Sequence, residues 1–161
     1  RRERMNLDRF VKWHHDRNLI EGATDEGQFK KLMSEFGELS DNLAKGDCIK
    51  DDIGDCAVVL INIAERNGCV GPLIENSLTC WTIDYIDLLD MLHDLGHTIH
   101  NEFDRHYKIS MTESLVNAWE SLKGFATCNN LDFNECLDVA YEDIKDRKGK
   151  MINGTFVKEA I

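Results

Sequence analysis

Residues 49–66 read IKDDIGDCAVVLINIAER. Wound as a helix, this run is apolar around most of its circumference, and a helix with that pattern is buried on nearly all sides. Its apolar positions include Ile53, Cys56, Ala57, Leu60, Ile61, Ile63 and Ala64. A narrow polar strip remains, formed by Asp52, Asp55 and Asn62. The run therefore predicts the central helix of a helical bundle.

Helical periodicity continues on both sides of this run. Thr24 and Asp25 offer N-cap chemistry for a helix that Gly46 ends. The periodicity predicts further helices over residues 7–19, from Pro72 through Phe103, over 112–127 and over 132–148. The glycine-containing tail, residues 149–161, is expected to be loosely held.

The composition favours one folded helical domain over residues 1–161. The chain has 161 residues with a single proline and 30% charged residues, which argues against a disordered chain or a β-sandwich. Its formal net charge of -11 disfavours a nucleic acid polymer as partner, because basic surfaces bind phosphate polymers.

Membrane insertion and secretion are also disfavoured. No apolar run approaches the roughly 20 residues that a membrane helix needs, and no signal segment opens the chain. The 6 cysteines form no C-x-x-C pair, which favours reduced core thiols over disulfides or a zinc site. We therefore expect an all-α cytoplasmic protein that does not bind membranes.

Two pairs of acidic residues stand at helical spacing, Glu35 with Glu38 and Asp52 with Asp55. Residues three apart lie on one face of a helix, so two neighbouring helices can bring these four carboxylates together. Such crowding requires cations, and all-oxygen ligation suits Mg²⁺, with Mn²⁺ as a substitute. The alternative is that the acids are ordinary solvated faces of their helices.

The same residues carry a resemblance. EFGEL at residues 35–39, followed by KDDIGD at 50–55, resembles the E-x-x-E and E-x-x-D signature of the MazG-like all-α nucleoside triphosphate pyrophosphohydrolases. AYEDIKDRKGKM at 140–151 is similar to the end of their catalytic domain. The chain departs from the pattern at Asp52, where the signature has Glu, and residues 71–127 are extra relative to a minimal member.

The resemblance implies Mg²⁺-dependent hydrolysis of a nucleoside or deoxynucleoside triphosphate between its α- and β-phosphates, which gives the monophosphate and pyrophosphate. Glu35, Glu38, Asp52 and Asp55 are then the catalytic metal ligands, and one of them is a candidate to take a proton from the attacking water. The family also implies a homo-oligomer, either a dimer or a tetramer. The sequence does not indicate which base or sugar is preferred.

Two further groups become candidate substrate contacts under this resemblance. A basic cluster is formed by Lys145, Arg147, Lys148 and Lys150. Lys145, Arg147 and Lys148 could bind the phosphates, although cations at a helix C-terminus also compensate the helix dipole. Trp13 and His14 could contact the base, although a tryptophan at an apolar helical position is more often a core residue.

A faint internal similarity relates residues 24–80 to residues 83–148, with Gly37 aligned on Gly96. If the chain is duplicated, it consists of two tandem degenerate helical hairpins, and one polypeptide forms a monomeric pseudo-dimer. The second copy lacks the acids of the first, so we expect one active site per chain. Its aligned positions hold Asp94, His97, Ser114 and Asn117.

Two other functions stay open at this point. His93 and Asp94 resemble the metal-binding dipeptide of HD-type phosphohydrolases, which are also helical enzymes, and exposed helix histidines are the alternative explanation. The second alternative is a non-enzymatic helical interaction module whose acidic face serves only solubility.

Overall fold

The computed structural model describes residues 6–75, 82–102 and 106–159. These residues form a mostly helical chain with one small β-hairpin, which confirms the all-α prediction. The helices are α1 (Asp8–Asp16), α2 (Asp25–Lys45), α3 (Lys50–Arg66), α4 (Val70–Glu75), α5 (Tyr85–His100), α6 (Tyr107–Cys128) and α7 (Phe133–Ile144). The strands are β1 (Gly149–Ile152) and β2 (Thr155–Lys158).

Helix α3 is the centre of the bundle, as its sequence predicts. Every residue from Cys56 to Ala64 is buried, and α1, α2, α4, α6 and α7 all pack against this helix. Because the burial of apolar surface is the main force that drives folding, the position of α3 fixes that of the helices around it.

Helix α2 begins and ends where its capping residues indicate. The Thr24 hydroxyl accepts a hydrogen bond from the Gly27 amide at 3.0 Å, and Gly46 takes the left-handed conformation with φ of 74°. Arg66 at the end of α3 forms an ion pair with Asp25 at 2.9 Å. The two ends of the α2–α3 hairpin are thereby fixed relative to each other.

Several predicted boundaries are wrong. The first helix ends at Asp16 rather than Leu19, because Asn18 adopts φ of 55° and turns the chain. The last helix ends at Ile144 rather than Lys148. The predicted helix from Pro72 through Phe103 is two helices, α4 and α5.

Two features of the sequence analysis lie outside the described residues. They are Cys80, one of the 6 cysteines, and Phe103, the predicted end of the helix that starts at Pro72. The other 5 cysteines are free, and Cys56, Cys69 and Cys136 among them are buried.

The two pairs of consecutive helices, α2 with α3 and α5 with α6, lie side by side. Helix α2 contacts α5, and α3 contacts α6. This arrangement does not test common descent of the two halves, so the internal duplication stays a prediction. Within the described ranges, no helix combines the length and apolar character needed to cross a membrane.

The tail expected to be loosely held instead forms the β1–β2 hairpin. The strands pair antiparallel, with Met151 opposite Phe156 and Ile152 opposite Thr155. Asn153 and Gly154 both have positive φ, 49° and 77°, as a two-residue type I′ turn requires. The hairpin is fixed to the turn after α1, where the Met151 amide donates to the Arg17 carbonyl at 2.9 Å.

Candidate functional site

A cavity of about 630 Å³ lies between the α2–α3 hairpin and two other segments, residues 13–24 and residues 144–158. Its walls come from α1 and the turn that follows it, from α2 and α3, from the residues at and after the end of α7, and from the β1–β2 hairpin. Cavities that bind small molecules typically have volumes of about 300–1,000 Å³. This cavity is therefore large enough for a nucleotide.

Three of the four predicted acids face this cavity. Glu35 and Glu38 reach it from α2, and Asp55 reaches it from α3. Glu35 is buried and forms an ion pair with Lys31, one helical turn earlier, whereas Glu38 is exposed. The helical spacing of the acids thus brings carboxylates from two neighbouring helices to one cavity.

Burial, together with the nearby carboxylates of Glu35, Asp51 and Asp143, raises the pKa of the Asp55 carboxyl to about 7. The Arg147 guanidinium partly opposes this rise. Burial and like charge both disfavour the ionised form of a carboxyl, so Asp55 keeps its proton to a higher pH than a free aspartate does.

Asp52 does not line the cavity. Its side chain is buried, and both of its carboxylate oxygens accept hydrogen bonds from the Asn42 amide, at 3.1 and 3.0 Å. Asp52 therefore connects α3 to α2 beside the site, which differs from the ligand position that the sequence resemblance implies.

The donor chemistry of the cavity fits Mg²⁺. Within the described ranges, no group of three or more His, Cys, Asp or Glu side chains is placed to hold a metal ion. Mg²⁺ does not need such a group, because proteins usually bind it through one or two carboxylates together with substrate phosphates and water. Glu35, Glu38 and Asp55 supply hard oxygen ligands of that kind.

Of the predicted basic cluster, only Arg147 lines the cavity. Its guanidinium forms an ion pair with Asp143 at 2.5 Å. Lys145 is exposed and pairs with Glu142 at 2.6 Å, and that hydrogen bond raises the pKa of the Lys145 ammonium. Lys148 is also exposed and does not line the cavity.

Trp13 lines the cavity, but much of its side chain is already engaged. The indole Nε1 donates a hydrogen bond to the Ile144 carbonyl at 2.8 Å, and the Arg17 guanidinium lies 4.4 Å from the ring centroid. These contacts position the start of the C-terminal segment. The part of the Trp13 side chain that lines the cavity is thus held firmly in place.

His14 also lines the cavity, and both of its ring nitrogens have partners. Nε2 lies 3.1 Å from the Val58 carbonyl, and Nδ1 lies 3.2 Å from the Asn62 amide nitrogen. Since the carbonyl can only accept, Nε2 carries the proton and Nδ1 accepts from Asn62. Burial lowers the pKa of His14 to about 4. The His14 ring is therefore a neutral part of the cavity wall, and its nitrogens are not available to hydrogen-bond a nucleobase.

Sequence reasoning missed Lys31, Met151, Phe156 and Lys158, which also line the cavity. The last three belong to the β1–β2 hairpin. The dipeptide Asn153-Gly154 between short apolar runs is a strong sequence signal for a hairpin and could have identified them.

His93 and Asp94 lie exposed on α5, away from the cavity. The His93 ring contacts His97 with centroids 4.5 Å apart. Neither residue belongs to a group able to hold a metal within residues 6–75, 82–102 and 106–159.

Comparison with known proteins yields one short match. Over 57 residues the chain is 54% identical to an uncharacterized 18.2 kDa protein from the rep-hol intergenic region of Haemophilus phage HP1 (strain HP1c1). The match covers 34% of this chain and 35% of the phage protein, so it spans about a third of that relative. No family model and no solved structure matches the chain.

Proposed function

We propose that this protein is a MazG-like nucleotide pyrophosphohydrolase, which hydrolyses a nucleoside or deoxynucleoside triphosphate between its α- and β-phosphates in the presence of Mg²⁺. The observation that supports the proposal best is the meeting of Glu35, Glu38 and Asp55 in one nucleotide-sized cavity, beside Arg147. The four side chains come from three parts of the fold, α2, α3 and the residues after α7, so their meeting at one cavity is a property of the tertiary structure.

One or two of the carboxylates of Glu35, Glu38 and Asp55 would hold the metal, together with the substrate phosphates and water. When bound, Mg²⁺ neutralises phosphate charge, orients the substrate and lowers the pKa of a coordinated water. The carboxylates also provide an acceptor for the proton of the attacking water. Arg147 would offset the part of the phosphate charge that the metal does not neutralise. Val58 and Val59 add apolar side chains to the wall of the cavity, which would reduce the water around bound phosphates.

The test is pyrophosphate release from a panel of nucleoside and deoxynucleoside triphosphates, with Mg²⁺ and with a chelator. Glu38→Gln removes an exposed carboxylate from the cavity and is expected to lower kcat/KM at least about 100-fold. Asp41→Asn is the matched control, because Asp41 is an exposed acid on the same helix that pairs with Lys45 outside the cavity.

Three other results would contradict the proposal. Equal losses in the two variants would show that the cavity acid has no special role. Release of orthophosphate that depends on His93 would favour the HD-type alternative. Absence of turnover on the whole panel would favour a helical interaction module.

The proposal extends to assembly and location. The protein acts on cytoplasmic nucleotides either as a homodimer or homotetramer, or as a monomer whose two halves form a pseudo-dimer. Light scattering coupled to size exclusion distinguishes these states. Calorimetry should give one nucleotide site per chain, and two equal sites would contradict the expected loss of acids in the second half.

A further inference from the structure

The β1–β2 hairpin has two chemically different faces. Side chains alternate between the faces of a strand, so Met151, Phe156 and Lys158 share the face that lines the cavity. Lys150 and Val157 lie on the opposite face and are exposed. The sequence of the hairpin thus presents one apolar and basic surface to the cavity.

The inner face is held firmly against the bundle. The Asn18 amide donates to the Met151 carbonyl at 3.1 Å, and the Arg17 Nε donates to the Arg147 carbonyl at 2.8 Å. Both donors belong to the turn after α1, and the bonds fix the start of the hairpin and the residue Arg147 before it against that turn.

Gly149 lets the Phe156 ring lie close to the backbone. Gly149 has φ of 150°, and a Cβ at this position would lie 2.8 Å from Phe156 Cζ and 2.5 Å from the Val157 carbonyl oxygen. A larger residue would displace the ring or open the hairpin. Phe156 is therefore a positioned wall residue, half-buried at the cavity surface.

Lys158 differs from the other cations of the cavity. Lys31 pairs with Glu35, and Arg147 pairs with Asp143. Across the part of the chain that the structure describes, Lys158 forms no ion pair. In a protein of net charge -11, this ammonium at the cavity remains available to an anionic ligand.

We infer that the β1–β2 hairpin is the wall of the cavity that recognises the nucleotide, with Lys158 contacting the phosphate chain and Phe156 packing against the base. The inference rests on the proposed function, since it assigns substrate contacts to the same site. It adds two recognition residues outside the acidic motifs and outside the basic cluster at residues 145–150.

The phosphate contact is tested by calorimetric titration of inorganic tripolyphosphate in Mg²⁺. Lys158→Met is expected to weaken binding about tenfold, the usual result of losing one charge-assisted contact. Lys150→Met is the matched control, because it removes the same charge from the other face of the same hairpin. Its affinity should stay within about twofold of wild type.

The base contact is tested with α,β-methylene analogues of the deoxynucleoside triphosphates. Phe156→Ala is expected to weaken their binding about tenfold and to leave tripolyphosphate binding unchanged, because the aromatic ring contacts only the base. Val157→Ala, which shortens an exposed apolar side chain on the outer face, should bind both ligands as wild type does.

The outcomes separate this inference from the proposed function. Equal effects of Lys158→Met and Lys150→Met, no effect of either, or failure of the wild type to bind tripolyphosphate would overturn the inference. Lys158→Met and Phe156→Ala could show the expected binding pattern while no triphosphate is hydrolysed. That result would support the hairpin as a nucleotide-binding wall and contradict the proposed hydrolysis.

Discussion

Two titratable side chains in the cavity wall have shifted pKa values. One shift lowers stability at high pH and the other lowers it at low pH. Burial and neighbouring acids raise the pKa of Asp55 to about 7, whereas burial lowers the pKa of His14 to about 4. Each group is held against its preferred charge state at some pH, which costs folding free energy there. Such strain is common where side chains are arranged for binding rather than for stability.

Asp55→Asn should stabilise the metal-free protein at alkaline pH. The folded state holds the Asp55 proton more strongly than the unfolded chain does, so stability is lost as pH rises from about 4 to about 7. With allowance for partial exposure, we expect the variant to be about 1–2 kcal/mol more stable than wild type at pH 8. Urea denaturation in a chelator at pH 8 and pH 5 measures this, and the gain should shrink at pH 5. A variant less stable than wild type at both pH values would contradict the raised pKa of Asp55.

His14 should make the protein less stable in acid. The unfolded chain takes up a proton near pH 6.5 that the folded state refuses until about pH 4, so stability falls across that window as pH decreases. The loss attributable to His14 is about 3 kcal/mol at most. His14→Gln should remove this part of the pH dependence, while His15→Gln, at an exposed neighbour, should retain it. Identical pH profiles for wild type and His14→Gln would contradict the prediction.

Three of the four acids that residue spacing singles out line one cavity, and Asp52 does not. Glu35, Glu38 and Asp55 line one cavity because helical periodicity fixes which face each side chain occupies. Asp52 lies on the same strip of α3 as Asp55, yet its oxygens are taken by Asn42. Whether Asp52 or Asp55 meets the Asn42 amide depends on how far α2 is shifted along α3. Residue spacing within each helix does not determine that shift.

At the scale of elements, the contact between α3 and α7 depends on Gly54. A Cβ at this position would lie 2.3 Å from the Cys136 carbonyl oxygen and 2.7 Å from the Ala140 Cβ. Helix α7 therefore lies directly against the backbone of α3, one residue before Asp55. The close approach also places the end of α7, and with it Arg147, at the cavity.

Gly54→Ala is expected to destabilise the protein by about 2–3 kcal/mol, because the two helices must separate to admit the methyl group. Gly37→Ala is the matched control. Gly37 lies exposed in α2 with no atom within 4 Å of an added Cβ, so alanine there should stabilise the helix by up to about 1 kcal/mol. Urea denaturation of both variants provides the measurement. Equal stability of Gly54→Ala and wild type would contradict the close packing of α3 and α7.

Helices were more predictable than the hairpin. Thr24 and Gly46 delimit α2 in the structure as they do in the sequence, since caps act locally. The β1–β2 hairpin was missed although Asn153 and Gly154 signal its turn, because two short strands gain stability mainly from what they pack against. The partners, Arg17 and Asn18, lie more than 130 residues away along the chain.

At the scale of the whole molecule, ligand binding should raise thermal stability. An α,β-methylene deoxynucleoside triphosphate with Mg²⁺, at about 100 times its Kd, should add about 2.7 kcal/mol and raise Tm by about 5–10 °C. A chelator should reverse the shift. Glu38→Gln should lose it and Asp41→Asn should keep it. A shift of equal size without Mg²⁺ would argue against metal-linked binding.

The described residues of α4, α5 and α6 contribute none of the cavity lining, although α3 packs against α4 and α6. We expect α4–α6 to affect stability and the cavity-lining elements to affect nucleotide preference. Saturation mutagenesis that measures both expression level and nucleotide preference tests this separation. Substitutions in α4–α6 should change how much protein survives in the cell while leaving its choice of nucleotide intact. Changes of preference should come from the first two helices, α3, α7 and the hairpin, so a new specificity can be selected without rebuilding the other half.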